Sequence, residues 1–226
     1  MDSSPAALRY ERKFLAHGCS LDQVLTTVRR HPALFRQVYP PRTVNNLYLD
    51  SVSLRDYADH VAGIADRVKT RIRWYGSPAG AIARPALERK FRRGTVSGKL
   101  SYSLPALDLA LGAPLAALDL AAAWAPLPDA IRALVSPLRP ALVNRYQRRY
   151  FLSGDGQFRL TVDWDLEFLA PAVTLHPLRP TPPVVILELK YGPAQAEAAG
   201  EVSGRLPYRL TRCSKYVLGI EATRGR

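Results

Sequence analysis

Four segments of this chain place polar, mostly charged residues at every second position. Arg67, Lys69, Arg71 and Arg73 alternate with Val68, Thr70, Ile72 and Trp74. Glu88, Lys90 and Arg92 recur in the same way, as do Arg159, Thr161, Asp163 and Asp165 against Phe158, Leu160, Val162, Trp164 and Leu166. Glu188 and Lys190 oppose Val185, Leu187 and Leu189. On a β-strand, residues two apart share a face. Arg and Lys neutralise phosphate oxygens, and Arg does so with a two-pronged fork. Glu and Asp hold Mg²⁺ or Mn²⁺, which prefer oxygen ligands. A face carrying both signs suits a metal-bound chain of phosphates. A nucleic-acid groove instead needs cations and stacking aromatics and gains little from carboxylates. For any one strand the plainer explanation is a solvated polar face. Four strands with same-face cations joined by acids call for more.

The elements that position these residues are mostly strands. Eight segments have strand length and pattern: Arg9–Ala16, Thr43–Asp50, Arg67–Tyr75, Pro85–Arg92, Val96–Tyr102, Arg145–Leu152, Gln157–Phe168 and Val184–Tyr191. So many like charges on one open sheet would repel. The expected fold is therefore α+β, an antiparallel eight-stranded barrel with a charged lumen, its apolar outside covered by helices. Ser20 and Gln23 predict a capping box for a helix over Leu21–Arg30, with Pro32 beyond it. Ser53 and Asp56 suggest the same device ahead of Leu54, Tyr57, Ala58 and Val61, with Gly63 as the C-terminal cap. Part of Leu107–Val135 should be helical, Pro193 should open a short helix through Glu201, and Ser214–Glu221 fits helix or strand. Pro171–Pro183 predicts a loop.

The bulk numbers set limits. The 226 residues are enough for one domain with a real core, and 47% are apolar. Lys and Arg outnumber Asp and Glu by 32 to 19, a formal charge of +13, which predicts a polyanionic partner. No apolar run approaches the ~20 residues needed to span a bilayer, and Met1–Tyr10 lacks the pattern of a secretion signal. Cys19 and Cys213 are too few for a disulfide framework and have no metal-ligand spacing. The expected location is cytoplasmic. His17, His31, His60 and His176 are scattered, and none is expected to be catalytic.

The order of short motifs resembles one family. It runs Glu11-Arg12-Lys13-Phe14, Arg71-Ile72-Arg73-Trp74-Tyr75-Gly76, Leu87-Glu88-Arg89-Lys90, Tyr146-Gln147-Arg148, Arg159-Leu160-Thr161-Val162-Asp163, Leu187-Glu188-Leu189-Lys190 and Ser214-Lys215-Tyr216. A lone E-x-K carries no weight, but this succession from about Tyr10 to Ile220 resembles the VTC domain. That domain, named for the vacuolar transporter chaperone complex, belongs to the triphosphate tunnel metalloenzymes with the CYTH phosphatases and cyclases. The resemblance implies an antiparallel tunnel barrel spanning residues 1–226 as a single domain. It also implies polyphosphate synthesis from ATP, as in characterised eukaryotic members.

Carried over residue by residue, Arg71, Arg73, Lys90, Arg148, Arg159 and Lys215 match the family's phosphate-gripping catalytic positions. Lys13 matches a lysine near the tunnel entrance. Glu188 matches the acidic metal ligand, with Glu11 a weaker second, while Glu11 and Asp163 could each instead orient an Arg. Lys99 and Lys190 could line the lumen or pair with carboxylates. The wider E-x-E-x-K motif is reduced here to Glu11 and Lys13, which speaks against a two-metal hydrolytic arrangement. These 226 residues contain no recognisable SPX domain or membrane-spanning segment, so a stand-alone, bacterial-type version is the expectation. The implied reaction moves the terminal phosphate of an NTP, with Mn²⁺ or Mg²⁺, onto a polyphosphate chain. The alternatives are a triphosphatase or NTPase of the same fold and a polyphosphate-binding module without turnover. No specific nucleic acid is an expected partner.

Overall fold

The computed structural model describes residues 10–93, 96–109, 118–169 and 183–224. The strands are β1 (Tyr10–His17), β2 (Arg36–Asp50), β3 (Arg67–Tyr75), β4 (Gly80–Ile82), β5 (Ala86–Arg93), β6 (Val96–Ser103), β7 (Leu107–Leu109), β8 (Arg139–Leu152), β9 (Arg159–Leu169), β10 (Val184–Tyr191) and β11 (Arg209–Leu210). The helices are α1 (Leu21–Arg29), α2 (Arg55–Val61), α3 (Ala121–Trp124), α4 (Asp129–Val135), α5 (Ala198–Gly204) and α6 (Lys215–Arg224). A short 3₁₀ turn, Pro193–Gln195, precedes α5. The predicted Pro-rich loop lies outside the described residues but for Pro183, and His176 also lies outside them.

The main sheet is antiparallel in every pairing whose register is defined, and helices flank it. Its order is β11-β1-β10-β9-β8-β2-β3-β5-β6, while β4 pairs with β7 in a small second sheet. This corrects the expected eight-stranded closed barrel, because among the described residues the sheet has nine strands and ends at β11 and β6. Closure was inferred from repulsion among like charges on an open sheet. The structure relieves that repulsion another way, by placing carboxylates between the cations. One edge is also kept very short, since β11 has only two residues.

The chain forms two compact units. The first takes its described residues from 10–42, 146–166 and 183–213, and the second from 43–145, 167–169 and 214–224. Each has its own core. In the first, one face of β1, β9 and β10 (Phe14, Leu160, Val162, Leu187, Leu189) packs on Val24, Leu25 and Val28 of α1. In the second, Leu47, Ile72, Trp74 and Leu87 pack on Trp124, Ile131 and Val135 of α3 and α4. Burial of such side chains stabilises by roughly 1.5–3 kcal/mol each. In both units the opposite strand faces carry the charges.

Local signals were met unevenly. The Ser20 hydroxyl accepts from the Gln23 amide N–H while the Gln23 side chain accepts from the Ser20 N–H, so α1 has the predicted capping box. At α2 the expected Ser53–Asp56 device is absent. The Asp50 carboxylate accepts from the N–H groups of Asp56 and Tyr57, and Ser51 Oγ accepts from the N–H of Arg55. Ser214–Glu221 resolves as helix. In α6, Gly219 is required by close approach, because a Cβ there would lie 2.3 Å from Leu142 and 2.6 Å from Phe168.

Candidate functional site

In the second unit the charged face is built on β3, β5 and β6. The register pairs Tyr48 with Arg71 and Arg71 with Glu88, and next to that rung sets Lys69 beside Lys90 beside Lys99. Glu88, 6% exposed, is the centre of the face. Its Oε2 accepts from Arg71 Nε at 2.9 Å and Nη2 at 2.5 Å, and Arg73 Nη1 stands 3.6 Å away. Lys99 Nζ donates to the other oxygen at 3.1 Å. Burial alone would raise the Glu88 pKa, but the charges of Arg71 and Arg73 outweigh it and hold the carboxyl well below its usual range. Arg73 Nε donates to Asn46 Oδ1 at 2.9 Å, and Asn46 is held by Asn144 in turn. Both guanidinium groups are thus fixed before any ligand arrives.

The start of α6 closes one end of this face. Lys69 Nζ donates to Ser214 Oγ at 2.9 Å, and Lys215 follows, half-buried, as the first helical residue. Tyr216 anchors this turn. Its ring stacks on Tyr48 with centroids 4.8 Å apart, and its hydroxyl donates to Asp50 Oδ2 at 2.5 Å. Burial, then that bond to a carboxylate, push the Tyr216 pKa up, so it stays a donor.

In the first unit the charged face lies on β1, β10 and β9. Lys13 pairs with Glu188 and Glu188 with Thr161; on the next rung Glu11 pairs with Lys190 and Lys190 with Arg159. Lys13 Nζ lies 2.5 Å from Glu11, and Lys190 Nζ lies 2.5 Å from Glu188 and 3.9 Å from Glu11. Burial opposes the Lys13 charge, but Glu188 and Glu11 raise its pKa above the usual value. Arg148 forks onto Asp163, Nε to Oδ1 at 2.6 Å and Nη2 to Oδ2 at 2.7 Å. Burial opposes that charge too, and Asp163 overrides it. Arg159 stands exposed where β9 begins. Beside Glu11 and Lys13 an open cavity of about 510 Å³ is also lined by Arg12, Arg209 and Arg212.

A family model for the VTC domain matches residues 8–224. The chain belongs to the VTC domain family. Among curated proteins, none matches. Two solved structures share the fold. One is a candidate adenylate cyclase from Vibrio parahaemolyticus, 10% identical, covering 94% of this chain and 98% of its own, with a TM-score of 0.53. The other is a candidate adenylyl cyclase from Hippeastrum with a dominant triphosphatase activity, 15% identical, covering 95% and 96%, with a TM-score of 0.50.

In this VTC domain the structure brings Arg71, Arg73, Lys90 and Lys99 together on one face, near the start of α6 with Lys215. It brings Glu11, Lys13, Arg148, Arg159, Glu188 and Lys190 together on another. Asp163 meets Arg148 through both of its carboxylate oxygens. Sequence reasoning missed Glu88 as the hub of three cations and Lys69 as the third lysine of its rung. Both stood in the alternation, but only the cross-strand register shows what they touch.

The acidic residues test the fit of a metal. Among the described residues no three His, Cys, Asp or Glu side chains form a cluster that could hold one. Glu11 and Glu188 nevertheless lie within 4 Å of one ammonium, that of Lys190, so two hard-oxygen donors are close together. Carboxylate oxygens are the donors that Mg²⁺ and Mn²⁺ prefer, with waters and substrate phosphates completing the shell.

Proposed function

We propose that this protein is a phosphoryl transferase of the polyphosphate polymerase type, acting on a nucleoside triphosphate, probed most simply as ATP, and a polyphosphate chain. The observation that carries this reading is the rung Lys69–Lys90–Lys99. Like charges placed directly opposite one another destabilise a sheet. Three lysines abreast, next to Arg71, Arg73 and the Glu88 carboxylate they share, form a dense cationic face that suits a polyanion. Nucleic acid is disfavoured because Glu88, Glu11, Glu188 and Asp163 stand among the cations.

Phosphoryl transfer needs positioning and charge neutralisation more than covalent help from the protein. Arg71, Arg73, Lys90, Lys99 and Lys215 would hold phosphate oxygens on one unit. Lys13, Arg148, Arg159 and Lys190 would do so on the other. Arg71 and Arg148 are pre-aimed by Glu88 and Asp163, so little reorganisation accompanies the reaction. Glu188 and Glu11 would hold a divalent ion, which when bound would supply charge neutralisation to the phosphates. Lys190 and Lys13, now paired with these carboxylates, would turn to the phosphates. The attacking terminal phosphate oxygen is already anionic, so no general base is needed.

A second reading, in which water attacks instead, is favoured by the triphosphatase activity of the Hippeastrum protein of similar fold. Incubation with ATP and Mn²⁺ separates the readings. Long-chain polyphosphate with ADP supports the polymerase, and free phosphate alone supports the triphosphatase. No turnover, with tripolyphosphate still bound, leaves a binding module and refutes both.

A further inference from the structure

Resting on that reading, we propose a separate subsite for the nucleoside base of the triphosphate, a ladder of Tyr39, Arg42 and Tyr150 in the first unit. Tyr39 and Tyr150 meet edge to face with centroids 5.8 Å apart. The Arg42 guanidinium lies over both rings, 5.3 Å from the Tyr39 centroid and 5.8 Å from that of Tyr150. Arg148 continues the ladder, 5.8 Å from Tyr150 and 5.2 Å from Tyr146.

This ladder is not part of the core. Residues 36–42 are all exposed although they form the first half of β2, and Tyr39 is 53% exposed. Neither Tyr39 nor Tyr150 belongs to the apolar cluster of its unit. Pro40 and Pro41, between Tyr39 and Arg42, lock two backbone angles and hold the pair with little entropy left to lose. Every base has a π-face that stacks on tyrosine or on a guanidinium plane. The occupant is narrowed to a nucleotide by continuity. Arg148, the last rung, also forks onto Asp163 on the charged face, so stacking groups run directly into groups suited to phosphates. A bare phosphate chain has nothing to place on this ladder, and a nucleoside triphosphate has a base to place there.

The test compares ATP with tripolyphosphate by calorimetry at one salt concentration with Mn²⁺, in wild type and in Tyr39→Ala, whose side chain is exposed enough to remove without harming the core. A fluorescent triphosphate of 2-aminopurine riboside, quenched by stacking, reports the contact directly. The expected result is an ATP affinity lowered roughly tenfold, with the quench lost and tripolyphosphate affinity held within about twofold. Tyr39→Phe, which keeps the ring, should bind ATP like wild type. Equal losses for ATP and tripolyphosphate, or an unchanged quench, overturn the base subsite. A loss of single-stranded oligothymidine binding with no loss for ATP overturns it in favour of a nucleic-acid strand. If wild type binds ATP through the ladder but does not bind tripolyphosphate, the base subsite stands and the phosphate-face reading fails.

Discussion

Glu88→Gln should destabilise the protein while making its charged face a better host for polyanions. Glu88 is buried and touches Arg71, Arg73 and Lys99 at 2.5–3.6 Å. Glutamine keeps the shape but removes a carboxylate that offsets these cations. Leaving a buried partner uncompensated costs about 3–5 kcal/mol. In a chain of this length that corresponds to a fall in Tm of roughly 6–20 °C. Tripolyphosphate would supply the missing negative charge, so saturating ligand should recover much of the loss. The pH dependence has a defined sign. Because the folded carboxyl is held below its ordinary value of 4.5, its contribution is present above that pH and lost as pH falls. The gap between wild type and variant should therefore narrow on acidification. Thermal melts across pH, with and without tripolyphosphate, measure all three effects. A variant that melts within about 1 kcal/mol of wild type, or that gains no more from tripolyphosphate than wild type does, refutes the hub.

Two further outcomes follow from the buried charges. Asp163→Asn strips Arg148 of its fork and should cost a comparable ~3–5 kcal/mol, seen in urea melts, with tripolyphosphate restoring part of it. Asp56 is raised to about 6, first by burial and then by the Asp50 charge. Its favourable contribution is full below its ordinary value of 3.8 and is lost as pH rises through 6. Asp56→Asn should therefore raise Tm at pH 7 and flatten the decline between pH 4 and 6, while a variant less stable than wild type at pH 7 would contradict this assignment.

The parts of the fold that were legible in the sequence are those decided locally. β3 and β10 have the predicted ends because apolar and charged residues alternate without interruption, and α1 has the predicted start because its capping box lies within four residues. β2 begins seven residues earlier than expected. Pro40 and Pro41 cannot donate to a ladder and conceal the strand. On β9, Asp165 adopts a left-handed φ of +49° and stands exposed, while Thr161 and Asp163 on its predicted face are buried. The α2 cap was misplaced because its acceptor, Asp50, sits six residues from Asp56. The charged faces were readable as faces. Which carboxylate served which cation was not, since that depends on register between strands far apart in sequence. Barrel closure was inferred from repulsion that Glu88, Glu188 and Asp163 in fact neutralise.

The central claim, that the lysine rung holds a chain of phosphates, is tested most directly by titrating tripolyphosphate and duplex DNA into wild type and Lys90→Gln/Lys99→Gln. Each lost charge-assisted contact is worth about 1.5–3 kcal/mol, so tripolyphosphate affinity should fall roughly a hundredfold or more. DNA binding, driven by the overall charge excess, should change little at the same salt concentration. Equal losses for the two ligands, or an unchanged affinity for tripolyphosphate, would contradict the account.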